Sequence, residues 1–283
     1  MKPLKELSPD IAGKIDYVLC DLDDTLTLNG RLPAASYAGL EQLARAGKKV
    51  IVVTGRPAGW CDMIARFWPV EGVVGENGAF YFRYLVAERR MIRNFLVAEK
   101  KRERDRAKLA ALFAELRKSY PKIHLASDQA FRVSDIAIDM CEDVVPLARD
   151  IVLDIVSKLE KRGATVKVSS IHINAWIGQF DKLSMLNTLL KDAFKLGTAK
   201  AKKCGLYVGD SPNDEPMFAY FPHSVGVRNI ENFASEMRSL PQYITRAEGG
   251  LGFLELARIL VRASAPPSPT RGRSRRYSSP RRR

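Results

Sequence analysis

The chain has 283 residues, 46% of them hydrophobic, which is enough to bury the core of one large or two modest domains and excludes a wholly disordered protein. Its net charge of +14 is unevenly placed: residues 262–283 carry eight arginines and no acid in a Ser- and Pro-rich stretch. No apolar run reaches the length of a membrane span, the Met1–Glu6 start lacks the apolar segment of a signal peptide, and Cys20, Cys61, Cys141 and Cys204 share no C-x-x-C spacing, so the expectation is four core thiols in a cytoplasmic protein.

In chain order, the apolar run Tyr17-Val18-Leu19-Cys20 predicts a buried strand over 15–21, followed by Asp21-Leu22-Asp23-Asp24-Thr25. Strand side chains alternate, so Asp21 and Asp23 project to one side, and two acids so close favour a cation or a shared proton. A helix is predicted over 34–46, a strand over 49–54 and a helix over 57–67. The strand ends in Thr54-Gly55-Arg56-Pro57, a hydroxyl and backbone N–H groups at a strand-to-helix turn that suit a phosphate oxygen. A third strand over 71–75 leads into Glu76-Asn77-Gly78-Ala79, where Asn77-Gly78 reads either as a hairpin turn or as a cleft edge.

The next segment changes character. Mixed segments from Arg83 to Val97 precede a helix over 103–118, strands near 122–126 and 133–140, a helix over 144–162 and strands near 164–168 and 171–177. Asp128, Arg132, Ser134 and Asp135 group polar side chains there, suited to sugar hydroxyls and a second anionic group at Arg132, or equally to an internal salt bridge. Alternation puts Ser170, His172, Asn174 and Trp176 on one side; substrate contact and structural hydrogen bonding both fit His172 and Asn174. The three histidines have no paired spacing for zinc.

The pattern then resumes with a helix over 181–195, opened by Lys182 where the helix dipole disfavours a cation, so a nearby carboxylate cluster would offset the cost. A strand over 204–209 delivers Gly209-Asp210-Ser211-Pro212-Asn213-Asp214, two acids in one tight turn. A short helix near 213–219, a strand over 223–227, a helix over 230–238 and a final helix near 250–262 follow. Alternating strands and helices predict an α/β fold with a parallel sheet and a site at the carboxyl ends of its strands.

Taken in order, Asp21-x-Asp23-Asp24-Thr25, Thr54-Gly55-Arg56, Lys182 and Gly209-Asp210-x-x-Asn213-Asp214 resemble the four motifs of the haloacid dehalogenase superfamily of phosphohydrolases over roughly residues 15–255. From Asp21 to Thr54 is 33 residues, room for one helix and one strand; from Thr54 to Lys182 is 128, room for an inserted domain. The resemblance places such an insertion among the C2B-capped members, similar to sucrose-phosphate, trehalose-phosphate and mannosyl-phosphoglycerate phosphatases. The expected organisation is a Rossmann-like core over 1–83 and 178–262, an α+β cap over 84–177, and a disordered basic tail over 263–283.

The resemblance also implies a mechanism. Asp21 is the nucleophile, Asp23 the general acid and base, and Thr54 and Lys182 hold and screen the phosphoryl group. Mg²⁺ sits on Asp21, Asp23 through its carbonyl, Asp210 and Asp214. Substrate contacts are expected from Gly55, Arg56, Asn77, Gly78, Arg132, His172, Asn174, Ser211 and Asn213. Asp24 stands where a glycine is common in the superfamily. The expected partner is a small phosphomonoester, most simply a sugar phosphate. Alternatives are a phosphotransferase of the phosphomannomutase type, and a nucleic-acid-associated protein acting through the tail, which otherwise reads as solvated.

Overall fold

The computed structural model describes residues 1–264, and the predicted basic tail lies almost wholly outside them. The elements in chain order are β1 (Lys2–Pro3), α1 (Pro9–Lys14), β2 (Tyr17–Cys20), α2 (Ala34–Arg45), β3 (Lys49–Val53), α3 (Ala58–Phe67), β4 (Gly72–Gly75), β5 (Phe80–Leu85), β6 (Arg90–Phe95), α4 (Glu99–Ser119), β7 (Asp135–Asp139), α5 (Arg149–Lys161), β8 (Thr165–Val168), β9 (His172–Trp176), α6 (Lys182–Phe194), α7 (Thr198–Cys204), β10 (Gly205–Gly209), α8 (Glu215–Tyr220), β11 (Ser224–Gly226), β12 (Tyr243–Ile244) and α9 (Gly249–Ser264). None of the described helices is long and apolar enough to cross a membrane.

Nine strands form one sheet in the order β1-β12-β11-β10-β2-β3-β4-β5-β6, parallel as far as β4 and antiparallel over β5 and β6. Alternation sorts its side chains. Val18, Cys20, Val50, Val52 and Val208 face one side with Leu40 and Leu43 of α2, Ile64 of α3 and Phe253 and Leu256 of α9. Leu19, Ile51, Val53 and Tyr207 face the other, against Leu186 and Leu189 of α6 and Phe218 of α8. Each fully buried aliphatic side chain contributes about 1.5–3 kcal/mol, so both helical layers are held by the same strands. The core strand β2 pairs with β10 and β3, Cys20 lying opposite Val208 and Val52, so Asp21, Asp210 and Thr54 leave the sheet at adjoining carboxyl ends. Chain direction across the sheet reverses there, which opens the crevice that such folds use for ligands.

The second sheet is three-stranded and antiparallel, β7-β9-β8, with Leu109 and Leu116 of α4 and Ile155 and Leu159 of α5 packed on Ile136, Ile138 and Ile173. The segment that the sequence gives as mixed, Arg83 to Val97, belongs to the large sheet instead. β5 and β6 form a hairpin in which the rings of Phe80 and Phe82 stack at 4.4 Å and Phe95 packs on Phe80 at 5.4 Å. The change of sheet therefore comes after Phe95, and residue 84, the expected boundary, lies inside β5.

Other differences are local. Residues 122–126 make no strand, only an isolated bridge from Leu125 to Ile138 beyond Pro121. The helix expected from 144 starts at Arg149, after Pro146, and the one expected over 230–238 is a 3₁₀ segment, Arg228–Glu236. Cys20, Cys61 and Cys204 are buried thiols as expected, but Cys141 is exposed at a loop of the second sheet.

Candidate active site

Asp21 ends β2, its N–H donating to the carbonyl of Val208 at 3.0 Å and its side chain buried. Leu22 turns into the core and Asp23 points back to the cleft. Asp24 has φ +55°, the left-handed region that favours glycine and that a short acid tolerates, and its N–H donates to Thr27 Oγ1 at 2.8 Å. The glycine that the superfamily pattern prefers at this place thus has a backbone reason.

Lys182 opens α6 behind the N-cap Asp181, which pairs reciprocally with Ser184. Its Nζ lies 2.6 Å from Asp21 Oδ1 and 3.2 Å from Asp214 Oδ1. Burial disfavours the ammonium, but the two carboxylates outweigh it and raise its pKa. Asp214 also accepts from Tyr207 Oη at 2.5 Å and from the Asp210 N–H at 3.1 Å. Gly209 is required beneath it, since a Cβ there would stand 2.4 Å from Asp214 Oδ2.

Carboxylate oxygens of Asp21, Asp210 and Asp214 lie within 4.8 Å of one another, all three residues buried. Three carboxylates against one ammonium leave a formal deficit of two charges. Burial pushes the Asp21 carboxyl up to about 8, Lys182 lowering it and Asp214 and Asp23 raising it further; Asp210 is raised by burial and by the carboxylates of Asp214, Asp21 and Asp24. Asp210 Oδ1 accepts from Thr25 Oγ1 at 3.1 Å, while its buried Oδ2 has no partner. An all-oxygen set with one unsatisfied carboxylate oxygen fits a hard divalent cation such as Mg²⁺.

The Thr54-Gly55-Arg56 turn faces this cluster. Thr54 Oγ1 accepts the Arg56 N–H at 3.0 Å. Asn77 packs its amide against Gly55 and leaves its Nδ2 buried without a partner, beside a recess that it lines with Lys182 and Asn213. Gly78 has φ +106°, and a Cβ there would meet the Asp181 carbonyl oxygen at 2.0 Å, immediately before Lys182. Gly78→Ala is therefore expected to cost about 2 kcal/mol or more, read as a lower denaturant midpoint at unchanged slope.

Arg56 gathers the carboxylates that surround the cleft. Its Nε donates to Asp23 Oδ1 at 2.9 Å, and its terminal nitrogens reach Asp128 Oδ2 at 3.3 Å and both Glu142 oxygens at 2.5 and 3.1 Å. Glu142 belongs to the loop after β7, where Asp139 Oδ1 accepts its N–H at 2.8 Å. Its Oε2 also lies 2.8 Å from His172 Nε2. Burial works against its charge, but His172 and Arg56 hold its pKa near about 2.

The sequence-predicted residues divide in two. Asp23, Gly55, Arg56, His172, Asn174 and Ser211 line the crevice over Asp21, Asn213 closes one end, and Ser169 and Ser170 complete the wall. Arg132 does not reach it. Fully buried, it donates to Asp128 Oδ1 at 3.0 Å, to Asp135 Oδ1 at 3.1 Å and to the Gly55 carbonyl at 2.9 Å, the internal salt bridge rather than a substrate contact. Glu76 does related work: its carboxylate accepts the N–H groups of Ala58, Val133, Ser134 and Asp135, tying the turn before α3 to the approach to β7. Glu142, which touches Arg56 and His172 of the crevice wall, is the residue that sequence reasoning missed. Its only signal is Asp139 three residues earlier, a side chain placed to cap that loop.

Residues 18–94 match the family model described as haloacid dehalogenase-like hydrolase. No curated protein sequence matches the chain. Among solved structures, a Thermoplasma acidophilum protein is 18% identical, with a TM-score of 0.65 over 87% of this chain and 98% of that one. The sucrose-phosphatase of Synechocystis is 15% identical, with a TM-score of 0.58 over 86% of this chain and 97% of its own. The C-terminal domain of the C. albicans trehalose-6-phosphate phosphatase is 13% identical, with a TM-score of 0.66 over 92% and 98%. At these identities the likeness establishes the fold.

Proposed function

We propose that this chain, a haloacid dehalogenase-like hydrolase, is a Mg²⁺-dependent phosphatase that cleaves a small phosphomonoester through an aspartyl-phosphate. The observation that carries the reading is Asp21 at the carboxyl end of β2, bonded to Lys182 and flanked by Asp210 and Asp214 in a crevice roofed by β9. A sugar phosphate or glycosyl conjugate is the substrate class favoured by the hydroxyl- and amide-rich wall and by the folds of the sucrose- and trehalose-phosphate phosphatases. Four free thiols suit a reducing cytoplasm.

An Asp21 oxygen attacks phosphorus, the bond from phosphorus to the substrate oxygen breaks, and Asp23 gives its proton to the departing alcohol. Asp23 then takes a proton from water as that water attacks the aspartyl-phosphate, and phosphate departs from Asp21. Thr54 Oγ1, Asn77 Nδ2 and the N–H groups of the Gly55 turn hold phosphoryl oxygens, and Lys182 screens Asp21. Arg56 positions Asp23. Its Nε donates to both Asp23 oxygens and fixes the direction of that side chain. Asp21, Asp210 and Asp214, with the Asp23 carbonyl, would hold the Mg²⁺ ion, which neutralises charge on the phosphoryl oxygens when bound.

The test is phosphate release from a panel of sugar phosphates, glycerate conjugates, nucleotides and a 3′-phosphorylated oligonucleotide. EDTA is expected to silence turnover and added Mg²⁺ to restore it. Turnover indifferent to chelation would remove the metal from the mechanism, and silence on every small phosphomonoester would reject the reading. Transfer of phosphate between sugar positions without release would mark a phosphotransferase instead.

A further inference from the structure

We propose that a basic groove at the β1–β12 edge of the large sheet, aided by the C-terminal arginines, binds the backbone of a nucleic-acid strand through its phosphates. The proposal is independent of the phosphatase reading. The groove has a volume of about 590 Å³ and is lined by Lys5, Arg228, Arg246, Arg258 and Arg262, with Glu255 the one carboxylate among them. β1, β12 and β11 run parallel, so Lys5, Arg246 and Arg228 follow their strands at the same carboxyl end. Arg258 and Arg262 are four apart on α9, on the face that carries Glu255 and Ile259. The groove is not the catalytic crevice: β11 and β10 stand between β12 and the strand that delivers Asp21.

The positive charge is not cancelled from within. Both Glu255 oxygens accept backbone N–H groups, from Arg246 at 3.0 Å and Ala247 at 3.1 Å, and so staple the turn after β12 to α9. Arg228 pairs with Glu231 at 2.7 Å. Lys5, Arg246, Arg258 and Arg262 are exposed and make no ion pair among the described residues. Cations fixed side by side attract an anion with several charges more than one with a single charge. Four of the five are arginines, whose planar forks match phosphate oxygens. Beyond Ser264 the sequence adds seven further arginines and no acid, on the chain that leaves from this same helix. No aromatic side chain lines the groove, so bases find no stacking platform and the contact is to the backbone, indifferent to sequence. A concave groove admits a strand but not a flat lipid surface.

The test measures binding of labelled oligouridine to the full chain over a salt series. The wild type is compared with the groove pair Arg246→Gln and Arg258→Gln, and with Lys100→Gln and Arg104→Gln, two exposed cations of α4 outside the groove. The wild type is expected to bind with a steep salt dependence. The groove pair should lower the slope of log K against log salt by about 1.4, two phosphate contacts at about 0.7 each, and weaken binding roughly tenfold; the α4 pair should change neither. Thermal melts check that the variants are folded, and the single Arg258→Gln, with an expected slope change of about 0.7, serves if the pair is not. Arg275→Gln with Arg276→Gln weighs the tail. Loss of binding there, with the groove pair unchanged, would place the interaction in the tail alone and overturn the proposal. So would a wild type that binds no oligonucleotide, or equal weakening by the α4 pair. Displacement by polyglutamate as effective as by unlabelled oligouridine at equal charge would overturn the nucleic-acid assignment in favour of an acidic peptide.

Discussion

Asp21→Asn is expected to lower kcat by about 10⁴-fold or more while leaving the protein folded. An amide cannot form the acyl-phosphate, and no other side chain takes its place: Asp23 is turned toward Arg56, Asp210 toward Thr25, and Asp214 is bonded by Tyr207, Lys182 and the Asp210 N–H. Stability should move the other way. Asp21 is buried beside Asp214 and Asp23, and that burial pushes its carboxyl up to about 8, so the folded chain carries a cost in keeping it charged. Above about pH 8, where the carboxyl is charged, the amide relieves that repulsion, and Lys182 keeps Asp214 as a partner at 3.2 Å. In chelator the variant is expected to melt at or above the wild-type midpoint. With Mg²⁺ present the wild type should gain stability by mass action, about 2.7 kcal/mol at a hundredfold excess over Kd, and the variant markedly less. Turnover within tenfold of the wild type would remove Asp21 as nucleophile. A lower midpoint in chelator would mean that the Asp21–Lys182 contact outweighs the acid repulsion.

The signals readable in the sequence were those carried by local pattern. The runs Tyr17–Cys20, Val50-Ile51-Val52-Val53 and Gly205–Gly209 are continuously apolar because helices cover both faces of a parallel sheet, and each announces a strand whose next residues face the crevice. Lys182 was legible as an anomaly, a cation in a helical first turn, and two buried carboxylates explain it. The β5–β6 hairpin was obscured because the strand Arg90–Phe95 mixes arginines with apolar residues at a half-exposed sheet edge. The edge strand Lys2–Pro3 and its neighbour Tyr243–Ile244 are two residues long and have no period to read. Glu142 could not be placed because its role comes from pairings across the fold: Asp139 opposite His172 in the second sheet, and Arg56 86 residues away in sequence. Arg132 was open between two readings because Asp128 and Asp135 are its near neighbours in sequence, and spacing cannot say whether water reaches the group.

That burial sets the second large effect. Arg132→Ala is expected to destabilise the protein by about 3–5 kcal/mol, because it leaves Asp135 as an uncompensated buried charge and Asp128 with Arg56 alone. For a chain of this size the loss corresponds to a fall in Tm of roughly 6–20 °C. Arg132 spans three partners with one planar fork: Asp128, Asp135 and the Gly55 carbonyl. A lysine cannot reproduce that, so Arg132→Lys should recover only part of the loss. The link to chemistry runs through Gly55, since the carbonyl it holds belongs to the turn between Thr54 and Arg56. A substrate-gripping arginine would show the opposite signature, a raised KM with an unchanged melt. The double variant Arg132→Met with Asp135→Asn separates the two cases. Removing the cation together with one stranded carboxylate should be less harmful than removing the cation alone. A double variant as unstable as the sum of its parts would show that Arg132 and Asp135 do not act as a pair.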